Sequence, residues 1–251
     1  MIWFPQLAGG SVAQFPLERV RRWRAISNEL ESGERISLPD SGGGSIGWRL
    51  SYQDLTGVET GLLQALFRDC GGKCKTFAFA DPMANLLGWS EDLTRPDWQH
   101  GQLQLAASGR VWTLNNSSAG AQAVSQSVGV PGGYVSCFSV WVRSVAPGLV
   151  TLRRDLLNQT YAAGPVWTRV RLSGTGVLLA TQSTYSVEVP AGHVIEMSGP
   201  QVEAQPWSSQ YKTARAPRGI YPETWFASDE LKVTSVGPGR FSCQIDLISK
   251  T

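Results

Sequence analysis

Along most of this chain apolar residues alternate with polar or small ones, and a single stretch keeps a helical period instead. Ile46, Trp48, Leu50 and Tyr52 alternate as in a half-buried strand. Phe77 and Phe79 alternate with Thr76 and Ala78 and stop at Asp81-Pro82. Near the C-terminus Leu231 and Val233, then Phe241, Cys243, Ile245 and Leu247, alternate on either side of the turn Gly237-Pro238-Gly239, which predicts a hairpin. Leu17–Leu38 reads as another hairpin, turning at Glu31-Ser32-Gly33-Glu34. Met1–Gln14 reads as an extended arm, and Ser41-Gly42-Gly43-Gly44 as a loop. The helical exception starts at Thr56, where Glu59 three residues on completes a capping-box pattern. Val58, Leu62, Leu66, Phe67 and Cys70 then fall on one face, and Gly71-Gly72 ends the helix.

From about residue 83 to 213 no helical period is found. Strand patterns recur at Arg110–Leu114, Ala121–Val128, Tyr134–Arg143, Leu149–Arg153, Val166–Leu172, Tyr185–Val189 and His193–Val202, separated by Gly, Pro and Asn-Asn turns. Such spacing predicts a β-sandwich. In Phe138–Arg143, Phe138, Val140 and Val142 fit the core face, which turns Trp141 and Arg143 outward. The closing hairpin is too short a segment to hold a core of its own and pairs most economically with the N-terminal strands. The expected organisation is a discontinuous domain of residues 1–82 and 214–251, with residues 83–213 inserted into it. The expected fold class is mainly β: a β-sandwich or barrel-like domain with one α-helix, plus an inserted jelly roll.

Composition agrees with this patterning. Only 17% of the 251 residues are charged, with 27 Gly, 14 Pro and 10 Trp, which suits short strands and turns better than helix bundles. A hydrophobic fraction of 42% argues against disorder. The net charge of +2 is too small to argue for a nucleic-acid or membrane partner. No apolar run has the length of a membrane span or the look of a signal peptide, so a soluble chain without membrane insertion, made in a cytoplasm, is expected. Cys70 and Cys74 resemble half of a metal site, but neither His100 nor His193 lies beside a second cysteine pair. The four cysteines read as structural thiols, and no metal or cofactor is expected.

Two stretches carry resemblances. Tyr52, then Leu62-Leu63-Gln64-Ala65-Leu66-Phe67-Arg68-Asp69-Cys70-Gly71-Gly72-Lys73 and Phe77-Ala78-Phe79-Ala80-Asp81-Pro82, resembles the siphophage minor tail protein M and distal-tail families. Phe4-Pro5-Gln6-Leu7 and Arg218–Thr224 are similar to phage tail proteins of this kind. Asn85-Leu86-Leu87-Gly88-Trp89-Ser90-Glu91-Asp92-Leu93 with Trp98, and Gln201-Val202-Glu203 with Tyr211-Lys212-Thr213, resemble the two ends of a carbohydrate-binding-module-like jelly roll. The resemblance implies a distal-tail or tail-completion subunit at the virion tail tip, forming a ring with itself, by resemblance a hexamer. Its implied partners are the tail tube protein and the tail-tip hub and tape-measure proteins. The alternative it implies is a glycan-binding adhesion module anchored on the tail, with a host surface glycan as partner.

Candidate chemistry is sparse. Glu91, Asp92, Asp97, Glu188, Glu196 and Glu203 are scattered carboxylates of turns and strands rather than an acid–base pair. Neither a Gly-x-Ser-x-Gly elbow nor a phosphate-binding loop is present, so no catalytic residue is assigned and no enzyme is expected. Arg19, Arg21, Arg22 and Arg24 form the strongest charge run. They suit a subunit interface, where arginine pairs with a neighbour's carboxylates, better than a nucleic acid. Among Trp112, Trp141 and Trp167, the outward Trp141 is the best sugar platform, with Arg143 beside it.

Overall fold

The computed structural model describes residues 1–40, 42–215 and 219–250; Ser41 of the glycine loop and Arg218 of the Arg218–Thr224 stretch lie outside them. In chain order the elements are β1 (Leu17–Arg22), β2 (Ala25–Glu29), β3 (Arg35–Pro39), β4 (Ser45–Thr56), α1 (Gly57–Cys70) and β5 (Phe77–Ala80). Then come β6 (Gln104–Ser108), β7 (Val111–Asn115), β8 (Gln122–Val128), β9 (Ser136–Arg143), β10 (Gly148–Arg154) and β11 (Leu157–Ala163). The rest are β12 (Thr168–Gly174), β13 (Ser183–Val189), β14 (Val194–Glu203), β15 (Ile220–Phe226), β16 (Val233–Gly237) and β17 (Arg240–Lys250). The chain is mainly β. It divides into two compact units: Met1–Ala8, Val12–Phe79 and Tyr221–Thr251 form one, and Gly9–Ser11 with Ala80–Ile220 form the other. No helix among the described residues is long and apolar enough to cross a membrane.

In the first unit a sheet runs β1-β4-β17-β15-β5, with β16 also on β17. The last strand thus pairs with β4, Ile245 opposite Leu50 and Leu247 opposite Trp48. Both strands bury alternate residues, and this register puts the two apolar sets on one face. Trp48 meets Phe79 and Tyr221 at ring-centroid distances of 4.9 and 4.7 Å, and Phe226 meets Phe67 and Phe77, each at 5.0 Å. Buried Tyr52 keeps its hydroxyl satisfied by donating to the Val12 carbonyl at 2.7 Å. Burial also pushes that phenol well above its ordinary pKa.

Helix α1 starts at the expected capping box and ends with Gly71 in the left-handed conformation. Its buried face differs from the expected one. Thr60, Leu63, Leu66 and Cys70 are buried, whereas Val58 is 76% and Leu62 47% exposed. The sequence offers two apolar stripes, and Thr60 completes the second because its hydroxyl donates to the Thr56 carbonyl at 2.9 Å, which removes the cost of burying it.

The expected hairpin at Leu17–Leu38 is built differently as well. Its strands are β2 and β3, with Ile26 opposite Leu38 and Asn28 opposite Ile36, while β1 pairs with β4 instead. Every residue of β2 and β3 is exposed.

The second unit is a β-sandwich of the jelly-roll kind, with sheets ordered β11-β10-β13-β8 and β12-β9-β14-β7-β6. Phe138, Val140, Val142, Val170, Leu172, Ile195 and Met197 of one sheet and Val124, Val150, Leu152, Tyr185 and Val187 of the other are buried. Phe138 and Tyr185 meet with ring centroids 5.8 Å apart. The two ends of this segment are held together, the Asp81 amide donating to the Gly219 carbonyl at 2.8 Å. Strands β6, β11 and β15 carry no clear pattern in the sequence. The first two are sheet edges with mostly exposed residues, and β15 contains Pro222, which normally argues against a strand.

One fully buried cation ties loops of the sandwich together. Arg154 donates to the carbonyls of Tyr134 (2.7 Å), Gly132 (3.3 Å) and Gly174, and to the Ser183 hydroxyl (3.2 Å). Its guanidinium carbon also lies 5.6 Å from the centroid of the Tyr185 ring. These oxygens are neutral, so Arg154 acts as an internal donor hub rather than one half of an ion pair. Replacing it by leucine strands several buried acceptors. We expect Arg154→Leu to cost the sandwich about 3 kcal/mol, read as a lower urea midpoint with an unchanged slope.

Candidate functional site

The two stretches that resemble the ends of a carbohydrate-binding module meet in space and hold each other. Asn85 donates through Nδ2 to the carbonyls of Pro200 (2.9 Å) and Lys212 (3.2 Å). Its Oδ1 accepts from the amides of Leu87 (3.1 Å) and Val202 (3.0 Å). Gln201 Oε1 accepts from the Lys212 amide at 2.6 Å, and the Ser90 hydroxyl lies 2.8 Å from the Tyr211 hydroxyl. Buried Glu203 accepts from Lys212 Nζ (2.6 Å), from the Ser209 amide (2.9 Å) and hydroxyl (2.6 Å), and from the side chains of Gln201 (2.6 Å) and Gln205 (3.2 Å). These groups satisfy one another, so the signature is a clasp that closes the domain.

The other carboxylates considered for chemistry are also engaged. Glu91 pairs with Arg110 at 3.1 Å, Asp92 with Arg95 at 2.9 Å, Glu188 with Arg153 at 2.8 Å, and Glu196 with Arg143. His193 Nδ1 lies 2.9 Å from the Ala191 carbonyl oxygen. Among the described residues no three His, Cys, Asp or Glu side chains gather where a metal ion could sit. Cys70 is buried and Cys74 exposed, both as free thiols.

Surface chemistry concentrates on the outer face of β12, β9 and β14. Alternation along β9 sends Phe138, Val140 and Val142 inward and leaves Trp141 39% exposed on the other side. Arg169 lies directly across from Trp141 on β12, and Ser198 across from it on β14. Two residues along, Arg143 pairs with Glu196 on the neighbouring strand, and its guanidinium carbon lies 4.8 Å from the centroid of the Trp167 ring. Arg171 shares the outer face one step the other way, opposite Ser139. Trp112, by contrast, is buried and donates through Nε1 to the Glu91 carbonyl at 3.2 Å. Trp98 is buried at the clasp end and donates to the Trp89 carbonyl at 3.2 Å.

The structure therefore places Trp141 and Arg143 side by side and adds Trp167, Arg169, Arg171 and Glu196. The pattern Arg169-Val170-Arg171-Leu172 signals two outward arginines in the sequence, but which strand they adjoin depends on a long-range pairing that periodicity cannot supply.

Within the arginine run, two members share a face of β1 and two do not. Arg19 and Arg21 share the face of Trp48 and Ile46, whereas Arg22 lies opposite Ser45 on the other side, its guanidinium over Gly47. Arg24 follows the strand and pairs with Asp40 of the same chain. A strand's two-residue period sends neighbours to opposite faces, so four arginines in six positions cannot act as one.

The clasp makes a pH-dependent prediction. Burial by itself raises the Glu203 carboxyl, but the bonds from Lys212 and Ser209 outweigh it and hold the group below its ordinary value of 4.5. A depressed carboxyl stabilises the fold above its unfolded value, and that contribution fades as pH falls through the folded one. Wild type should lose thermal stability below about pH 4.5 more steeply than Glu203→Gln. At neutral pH the variant should be about 2 kcal/mol less stable, since it breaks the charge-assisted bond between Lys212 and a buried carboxylate.

Neither a protein-family model nor a curated protein matches the chain. Solved structures do. A family 22 carbohydrate-binding module of Clostridium thermocellum is 13% identical with a TM-score of 0.41, the match covering 51% of this chain and 99% of that one. A family 4 carbohydrate-binding module is 13% identical with a TM-score of 0.38, covering 49% of this chain and 96% of that one. Tailspike protein 4 of bacteriophage CBA120 is 13% identical with a TM-score of 0.38, over 50% of this chain and only 22% of that one.

Proposed function

We propose that this protein is a non-enzymatic carbohydrate-binding component, gripping a glycan on the outer face of β12, β9 and β14. The observation that carries this reading is Trp141. Its ring is exposed at the middle of a strand paired on both sides, so the sheet holds it in place. A flat apolar ring fixed in this way matches the C–H face of a pyranose, and the polar groups around it, Arg143, Glu196 and Ser198, suit the hydroxyls at the sugar's rim. A glycan array probed with the full chain tests this. Trp141→Ala should lose at least about tenfold in affinity, roughly the 1.4 kcal/mol expected from a removed aromatic anchor, with an unchanged melting temperature. Undiminished binding by that variant would remove Trp141 from the site.

A second reading, a structural subunit forming a ring at the tip of a phage tail, is favoured by a different observation. The β2–β3 hairpin exposes Ile26, Ile36 and Leu38 on one face, with Leu38 60% exposed, and a lone two-stranded hairpin is marginal in water. A neighbouring copy packed on that face would stabilise it. In this reading the protein joins the tail tube protein to the tail-tip hub and tape-measure proteins. Native mass spectrometry should then show a closed oligomer for the wild type. Ile26→Thr, Ile36→Thr and Leu38→Thr together should reduce it to monomers, and an oligomer indifferent to them would exclude the hairpin as its interface.

A further inference from the structure

We infer that the saccharide recognised at the Trp141 face is anionic, carrying carboxylate, sulfate or phosphate groups. The inference rests on the carbohydrate-binding reading and adds the ligand's charge to it. Three guanidiniums, Arg143, Arg169 and Arg171, lie within two positions of Trp141 on this face. Opposed to them on the strands that flank it are Glu196, which is consumed by Arg143, and Glu203, which is consumed by Lys212. Two positive charges are left over.

Arg169 is the more telling of the two. It is half buried, and its partners are neutral oxygens: Nη1 donates to the Ser209 carbonyl at 2.5 Å and Nη2 to the Ser139 hydroxyl at 2.9 Å. Its Nε is buried with no acceptor. A cation drawn partly out of water without a counter-charge is costly unless an anion arrives to share its field. Arg171 is exposed, and its backbone carbonyl accepts a hydrogen bond from the Tyr161 hydroxyl. Arg169 and Arg171 also line a hollow of about 440 Å³ with Gln159, Tyr161 and Ser173, where β11 approaches β12. A sugar chain stacked on Trp141 and crossing Arg169 reaches that hollow, so acidic groups on successive sugars would meet both free guanidiniums. Nucleic acid also offers rings and anions. The chain's net charge of +2 is too small for the counterion release on which such binding depends, which favours the acidic glycan.

The test uses the full chain on an array holding uronate oligosaccharides beside their methyl esters, which share a backbone and differ in charge, together with a single-stranded oligonucleotide. We expect the uronates to bind and the esters to bind more weakly, with the preference shrinking as salt rises. Arg171→Gln, at an exposed position that leaves folding intact, should weaken uronate binding roughly two- to fivefold and weaken ester binding by less, so that the preference for uronates shrinks. Esters bound as well as uronates would overturn the anionic inference and leave the carbohydrate reading standing. Tighter binding of the oligonucleotide, lost in Trp141→Ala, would overturn it in favour of nucleic acid. Silence across all three probes would overturn both the inference and the reading beneath it.

Discussion

A carboxylate with no access to water must find its donors inside the protein, and Glu203 finds five, two of them on Ser209 and one on Lys212. That requirement shapes the whole sandwich. It bends the segment after β14 back across the sheet, so that Lys212 and the backbone beside it reach Gln201 and Asn85. Asn85 in turn fixes the first turn of the unit through Leu87 and ties it to Val202. The first and last stretches of the unit therefore become ordered together. The same returning segment lays the Ser209 carbonyl against Arg169, so the clasp also orients one of the arginines flanking Trp141.

The two units put exposed aromatic and aliphatic side chains to different uses. In the sandwich Trp141 is an exposed ring in a polar surround, held by the strands on either side. In the first unit Ile26, Ile36 and Leu38 are grouped on a hairpin with little else to support it. On the two readings proposed above, one chain carries two kinds of contact, and a binding sheet of modest individual affinity gains strength when several copies are held side by side.

Much of the fold was legible because strands and the single helix carry short-period patterns. The alternation in β4 and β17, the capping box at Thr56 and Glu59, and the outward turn of Trp141 all follow from local rules and are all present. What could not be read depends on pairing at long range. Val58 and Leu62 were expected on the buried face of α1, and the packing selected the stripe of Leu63 instead. The partner of Arg24 could not be read either, because Asp40 reaches it only once β2 and β3 form their hairpin. Edge strands such as β11 escaped because a strand with one neighbour and a wet face has no need of apolar alternation. The carbohydrate-module signature was visible, but its residues turned out to close the domain, and the candidate site lies on plain strand positions between them.

The bond between Asp81 and Gly219 brings the two ends of the sandwich segment together beside β5 and β15, which are neighbours in the first unit's sheet. A segment whose ends meet in this way behaves as a cassette. Any domain with equally close termini could be spliced in at the same place without shifting the register of the sheet that carries it. A lineage built on this plan can exchange that unit in a single recombination event, while the sheet of the first unit is inherited unchanged.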